Sequence, residues 1–151
     1  MREVLSTLRS LFSNEVNVAL SPSVVTLECD GSTVTVPADV YVVHRGSESF
    51  ISGVGHPPAA GVPGQRVPIF EPRYRDSTGL PALAMLSAFF KVAIKQLPAR
   101  RKVVRPFVRV TGLRSLQGWQ SGELESLVRS AVLAAGAHRC EFVARHGCYV
   151  V

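Results

Sequence analysis

A change of hydrophobic period partway along the chain sets the main limit on what it can fold into. From Glu15 to Val54, apolar and polar residues alternate in short runs, the two-residue period of strands with one buried face. From Gly79 to Leu97 the step becomes three or four, so that Leu80, Leu83, Leu86, Phe90, Ile94 and Leu97 share one helical face. The alternating part predicts strands near Val16–Leu20, Val24–Glu28, Thr33–Pro37, Val40–His44 and Ser49–Val54. Cys29-Asp30-Gly31-Ser32 and Arg45-Gly46-Ser47 carry turn chemistry between them. His56 to Gln65 is rich in proline and glycine and predicts a surface loop without regular structure.

The helix over 79–97 has Ser77 or Thr78 as its expected N-cap and Pro98 as its stop. Val103–Val110 then reads as a buried strand, and Ser121–Ala135 as a second helix. Glu123 and Glu125 lie in that helix's first turn, and Gly136 follows its end at the C′ position. Cys140–Val143 reads as a further strand, and no internal repeat interrupts the order. Strands followed by helix, strand, helix and strand predict an α/β fold, with a mixed β-sheet flanked by helices in a single domain.

The length of 151 residues suits one domain, and 46% hydrophobic with 19% charged residues argues against disorder. No apolar run approaches the roughly 18–20 residues needed to span a bilayer, and no secretory signal pattern opens the chain. Cys29, Cys140 and Cys148 are odd in number and form no C-x-x-C, so a reduced, cytoplasmic setting is expected. The net charge of +6 comes mostly from arginine, with only Lys91, Lys95 and Lys102 contributing lysine. Its densest cluster, Arg100, Arg101, Lys102 and Arg105, follows a helix, where cations suit the negative end of the macrodipole. No aromatic residues interleave with that cluster as stacking platforms would require, so no nucleic-acid partner is expected.

Residues 1–13 read as an amphipathic helix, separate from a domain over 14–151. Val4, Leu5, Leu8, Leu11 and Phe12 form one apolar face, opposite Arg2, Glu3, Ser6, Thr7, Arg9 and Ser10. So short a helix is marginal alone and must dock. Its two candidate partners are the protein's own core and an anionic membrane surface, with Arg2 and Arg9 at the headgroups.

Few residues suggest chemistry. Neither a Walker phosphate loop, nor a dinucleotide fingerprint after a strand, nor a G-x-S-x-G elbow is present. His138-x-Cys140 and His146-x-Cys148 could offer four nitrogen and sulfur ligands from two strand arms, the basis for an alternative reading as a small zinc-binding domain or enzyme. Structural zinc usually sits in tighter knuckles, and a strand cysteine is more often a small buried hydrophobe. No metal or cofactor is expected.

Four segments, in order, resemble one family. Leu11-Phe12-Ser13-Asn14-Glu15-Val16-Asn17-Val18-Ala19-Leu20 is similar to the opening of MreB, the bacterial actin homologue, with its "FSxDxxIDLGTANT" segment. Gly53-Val54-Gly55-His56 resembles that family's "AVGxxA", and Phe89-Phe90-Lys91-Val92-Ala93-Ile94-Lys95-Gln96 its "FIKQ" helix end. Ala134-Ala135-Gly136-Ala137-His138-Arg139-Cys140-Glu141-Phe142-Val143 resembles "GAGAREVFLI". The likeness spans nearly the whole chain but only the first half of an MreB, roughly its subdomain IA.

The resemblance implies an actin/ribonuclease-H-like fold and a degenerate nucleotide site. Ala19-Leu20-Ser21-Pro22 stands where the family has its Asp-Leu-Gly-Thr phosphate loop. The magnesium-organising carboxylate is then a methyl group, the glycine a serine, and Pro22 removes an N–H donor. The family's catalytic glutamate would fall around Glu123 to Glu125, beyond an insertion at Leu113–Gln120. The function implied is that of a non-catalytic cytoskeletal scaffold linked to cell shape or wall growth. It would self-associate or bind a full-length MreB-type filament at the inner face of the membrane. The face around the nucleotide cleft, which packs on the other half in a whole MreB, must then be polar, covered by Tyr149-Val150-Val151, or buried on a partner.

Overall fold

Val16, Val18 and Leu20 alternate with Glu15, Asn17 and Ala19, and this alternation makes the central strand β1 (Glu15–Leu20), its apolar set buried and its polar set exposed. The computed structural model describes residues 15–74, 79–97, 106–120 and 122–143. β2 (Val24–Cys29) pairs antiparallel with β1, and β3 (Ser32–Pro37) antiparallel with β2. Between β2 and β3 only Asp30 and Gly31 turn the chain, at φ 51° and 77°. Positive φ at both is the geometry of the two-residue hairpin that suits twisted strands.

The other side of β1 is taken by β7 (Phe107–Thr111), parallel to it, and β8 (Arg139–Phe142) lies parallel to β7. The five-stranded mixed sheet thus runs β3-β2-β1-β7-β8. Helix α1 (Ala82–Lys95) precedes β7, and α2 (Glu123–Ala134) joins β7 to β8. The two helices pack on each other over one face of this sheet. Met85, Leu86, Phe89, Phe90, Ala93 and Ile94 of α1 meet Leu124, Val128, Ala131 and Val132 of α2 and the buried strand valines. Phe89 and Phe90 stand edge to face, 5.5 Å between centroids.

The single mixed sheet expected is joined by a second, smaller one. β4 (Asp39–Arg45), β5 (Glu48–Val54) and β6 (Gln65–Pro68) form an antiparallel unit in the order β5-β4-β6, set between β3 and α1 in the chain. Val40, Val42 and Val67 are its buried residues, and α1 touches both β4 and β5. Asp39, buried at the junction of the two sheets, is held by Arg66 at 3.1 Å. Trp119 adds a tie by donating its indole N–H to the Phe70 carbonyl just beyond β6, at 3.0 Å.

Several boundaries differ from expectation for physical reasons. The proline- and glycine-rich loop ends before Gln65, because Gln65–Pro68 gains a ladder with β4 that no local signal announces. Helix α1 starts at Ala82 behind Pro81, with no side-chain cap, since Pro81 supplies a preset φ of −59° at the boundary. Ser77, Thr78 and Pro98 lie outside the described residues. Strand β7 begins at Phe107 and not at Val103, which also lies outside them. β7 is not buried on both faces either, because both helices lie on one side of the sheet and leave Arg109 exposed. Helix α2 ends as expected, with Gly136 at φ 108° after the cap residue Ala135.

This packing separates two phenylalanines sharply. Phe89→Ala should lower stability by about 3–5 kcal/mol, whereas Phe50→Ala, at an exposed site, should cost about 0.5 kcal/mol or less. Urea unfolding followed by circular dichroism measures both.

Candidate functional site

In open α/β sheets, ligands gather at the carboxyl ends of parallel strands, at the point where connections leave in opposite directions. Here that point lies beyond Leu20 of β1 and Thr111 of β7, which brings Ala19, Leu20, Ser21 and Pro22 to the candidate site. The loop at that position closes upon itself. Both the Ser21 N–H and its hydroxyl donate to the Val24 carbonyl, at 3.1 and 2.8 Å, and the Val24 N–H donates back to Ser21 Oγ at 3.3 Å. The donors that would cradle a phosphate are thereby spent within four residues, and Pro22 has none to offer. Ala19 faces the open side of the sheet with only a methyl group.

The matching loop after β7 occupies the opposite wall. Gly112 adopts φ 84° with its backbone against the Leu20 carbonyl, so closely that any Cβ there would collide with that oxygen. A short 3-10 turn, Leu113–Ser115, follows, and the Ser115 hydroxyl lies 2.6 Å from the Gly112 carbonyl and 3.3 Å from that of Leu20. The segment that reads in sequence as an insertion therefore begins against the Leu20 carbonyl at the end of β1. Gly112 carried this information, as a glycine directly after a strand, yet only the three-dimensional approach gives it meaning.

The acidic candidates are engaged elsewhere. Glu125 pairs with Arg129 at 3.2 Å across one turn of α2, and the Arg129 guanidinium sits 5.2 Å from the Phe142 ring centre. Glu123 lies in the first turn of the same helix, where a carboxylate suits the dipole.

Sequence reasoning did not locate the surface made by the uncovered face of the main sheet. Asn17, Glu28, Thr33, Thr35 and Arg109 are exposed on it. Glu15 pairs with Arg109 at 3.1 Å, and Arg139 with Glu141 at 2.7 Å. Both guanidinium groups flank the Phe107 ring, each 5.5 Å from its centre. These residues make the described part of this face polar; Tyr149-Val150-Val151 lie outside the described residues. The alternation in Phe107-Val108-Arg109-Val110-Thr111 was its available signal.

The metal candidates are only half in view, because His146 and Cys148 lie outside the described residues. His138 is exposed just before β8, and Cys140 is half-buried opposite Val108. Burial pushes the Cys140 thiol up to about 11, against a smaller lowering by Arg129. A thiol so held is a weak ligand and nucleophile near neutrality. Burial, reinforced by Asp30, also raises Cys29. Among the described residues, no group of three or more His, Cys, Asp or Glu is placed to hold a metal. Arg2, Val4, Leu5, Leu8, Arg9, Leu11 and Phe12 of the amphipathic segment also lie outside the described residues, as do Arg100, Arg101, Lys102 and Arg105.

No family model and no curated protein matches this chain. Among the described residues, no helix is long and apolar enough to cross a membrane.

Gly112→Ala should destabilise the protein by about 2 kcal/mol or more, since it combines a disfavoured φ with a collision at Leu20. Thermal unfolding measures that loss. The raised Cys140 thiol also fixes a pH dependence. The folded form retains its proton where the unfolded chain has begun to lose it, so the stabilising contribution is complete below pH 9.0 and disappears as pH rises towards about 11. Denaturation midpoints measured across that interval should fall, and less steeply in Cys140→Ala.

Proposed function

We propose that this protein is a non-catalytic, MreB-like scaffold module that acts at a membrane surface. Its place would be in cell shape or wall growth, through self-association or docking on a full-length MreB-type filament. The main support is topological: an antiparallel meander β1-β2-β3 continued by parallel β7 and β8 is compatible with an actin/ribonuclease-H-like subdomain.

The closed Ser21 loop and the approach of Gly112 to the Leu20 carbonyl favour a binding role over nucleotide hydrolysis. The less favoured reading is a zinc domain on His138, Cys140, His146 and Cys148.

Liposome flotation tests the membrane part. The full chain should float with anionic vesicles at low and high salt, while a chain starting at Ser13 stays behind. Co-pelleting with assembled full-length MreB tests the filament part, and titration with ATP and magnesium should show no saturable binding. Stoichiometric zinc in the purified protein, or measurable ATP turnover, would displace this reading.

A further inference from the structure

Each sheet leaves strand edges, and they are unequal. β8 and β6 span only four residues each, and β6 ends in Pro68. β5 opposes a register shift between Tyr41 and Val42, and its Gly53 lies against the His56 carbonyl of the following loop. β3 is different: six residues, Ser32-Thr33-Val34-Thr35-Val36-Pro37, with continuous register to β2. It contains no charged side chain, no bulge, and no proline before its last position. Natural edge strands generally carry such guards.

The hairpin register says which backbone groups face outwards. A two-residue turn makes Cys29 and Ser32 a hydrogen-bonded pair, so Leu27 with Val34 and Val25 with Val36 are hydrogen-bonded as well. Thr33 and Thr35 therefore turn both N–H and C=O away from β2. Among the described residues, nothing pairs with them. Both side chains are exposed, and Val34 between them is half-buried at the rim of the core.

The geometry points to pairing of β3 with β3 of a second copy of this chain, antiparallel about a two-fold axis at Val34, giving one continuous sheet through two protomers. In that register Thr33 stands opposite the partner's Thr35 and each pair exchanges both hydrogen bonds, four in all. Val34 meets its own copy in a non-hydrogen-bonded pair, where side chains approach most closely. A register centred on Thr35 leaves both Thr33 carbonyls without a donor, because Pro37 has no N–H to give, and one centred on Thr33 sets Thr35 opposite Gly31 in the turn. So narrow a contact makes a weak dimer, with a dissociation constant on the order of 100 µM. It specifies the self-association invoked for the scaffold and rests on that reading for its purpose, though not for its geometry.

Sedimentation equilibrium of the full chain over a range of concentrations tests it. Thr35→Pro removes an outward N–H and leaves the ladder to β2 intact, as edge prolines do. Together T33K and T35K put like charges opposite each other across the axis. Both variants should keep the native circular dichroism spectrum and weaken the dimer more than tenfold. V34C should cross-link on mild oxidation beyond the wild-type level, since directly opposed residues of this kind lie within disulfide reach. A chain that stays monomeric up to about 1 mM overturns the pairing, as does a dimer indifferent to both variants or one in which V34C fails to cross-link. A monomer that floats on liposomes sinks this pairing alone. A dimer that neither floats nor joins MreB filaments sinks the scaffold reading alone.

Discussion

Everything in this fold depends on β1 being paired on both sides, antiparallel to β2 and parallel to β7. Its three apolar residues, Val16, Val18 and Leu20, are almost wholly removed from water and lie at the centre of the core. Burial of that kind is the largest favourable contribution a small domain has. The same strand sets the candidate site, because its carboxyl end meets that of β7. At that junction Gly112 and Ser115 both lie against the Leu20 carbonyl, so the strand that organises the core also anchors the loop after β7.

The closure depends on short-range bonds whose donors are local. Ser21 spends its N–H and hydroxyl on Val24, three residues away. A glycine at that position would lack the hydroxyl, and a residue other than Pro22 next to it would restore an amide. The closure of this loop is thus written in two adjacent side chains, whereas its neighbour at the β1–β7 junction comes from a segment more than ninety positions further on.

The strands of the first half are legible because each alternates cleanly against a single buried face, as in Val16-Asn17-Val18-Ala19-Leu20. The two-residue hairpin at Asp30-Gly31 is equally plain, since few sequences tolerate positive φ twice. Partnership is what the sequence hides. β4 and β5 carry the same alternation as β2 and β3, yet they leave the main sheet after Ala38 and recruit Gln65–Pro68, a strand with only Val67 deeply buried. The start of α1 escapes local reading because serine and threonine are the usual caps, while the chain uses Pro81. The outward set of β7 is masked because Val108 and Val110 dominate its hydropathy and hide Arg109 between them. For the site, residues Ala19 to Pro22 are visible in sequence, whereas Gly112 reads there only as a glycine after a strand, and its approach to Leu20 appears in three dimensions.

The link from Thr111 to the Val18 carbonyl joins residues 93 positions apart and marks how far the central parallel pair reaches along the chain. The β1-β2-β3 meander closes through a two-residue turn and one short loop, so it can form while the rest is still unfolded. Pairing β7 against β1 closes a loop many times longer, at an entropic cost that rises by about 0.6 kcal/mol for each doubling of length. During synthesis from the N-terminus, β1 therefore has one side unpaired until the ribosome has released residues beyond 111. Its valines wait with only a partial cover for that whole interval. Local contacts lead and distant ones complete the fold, so the rate at which this protein folds is set by its longest connection.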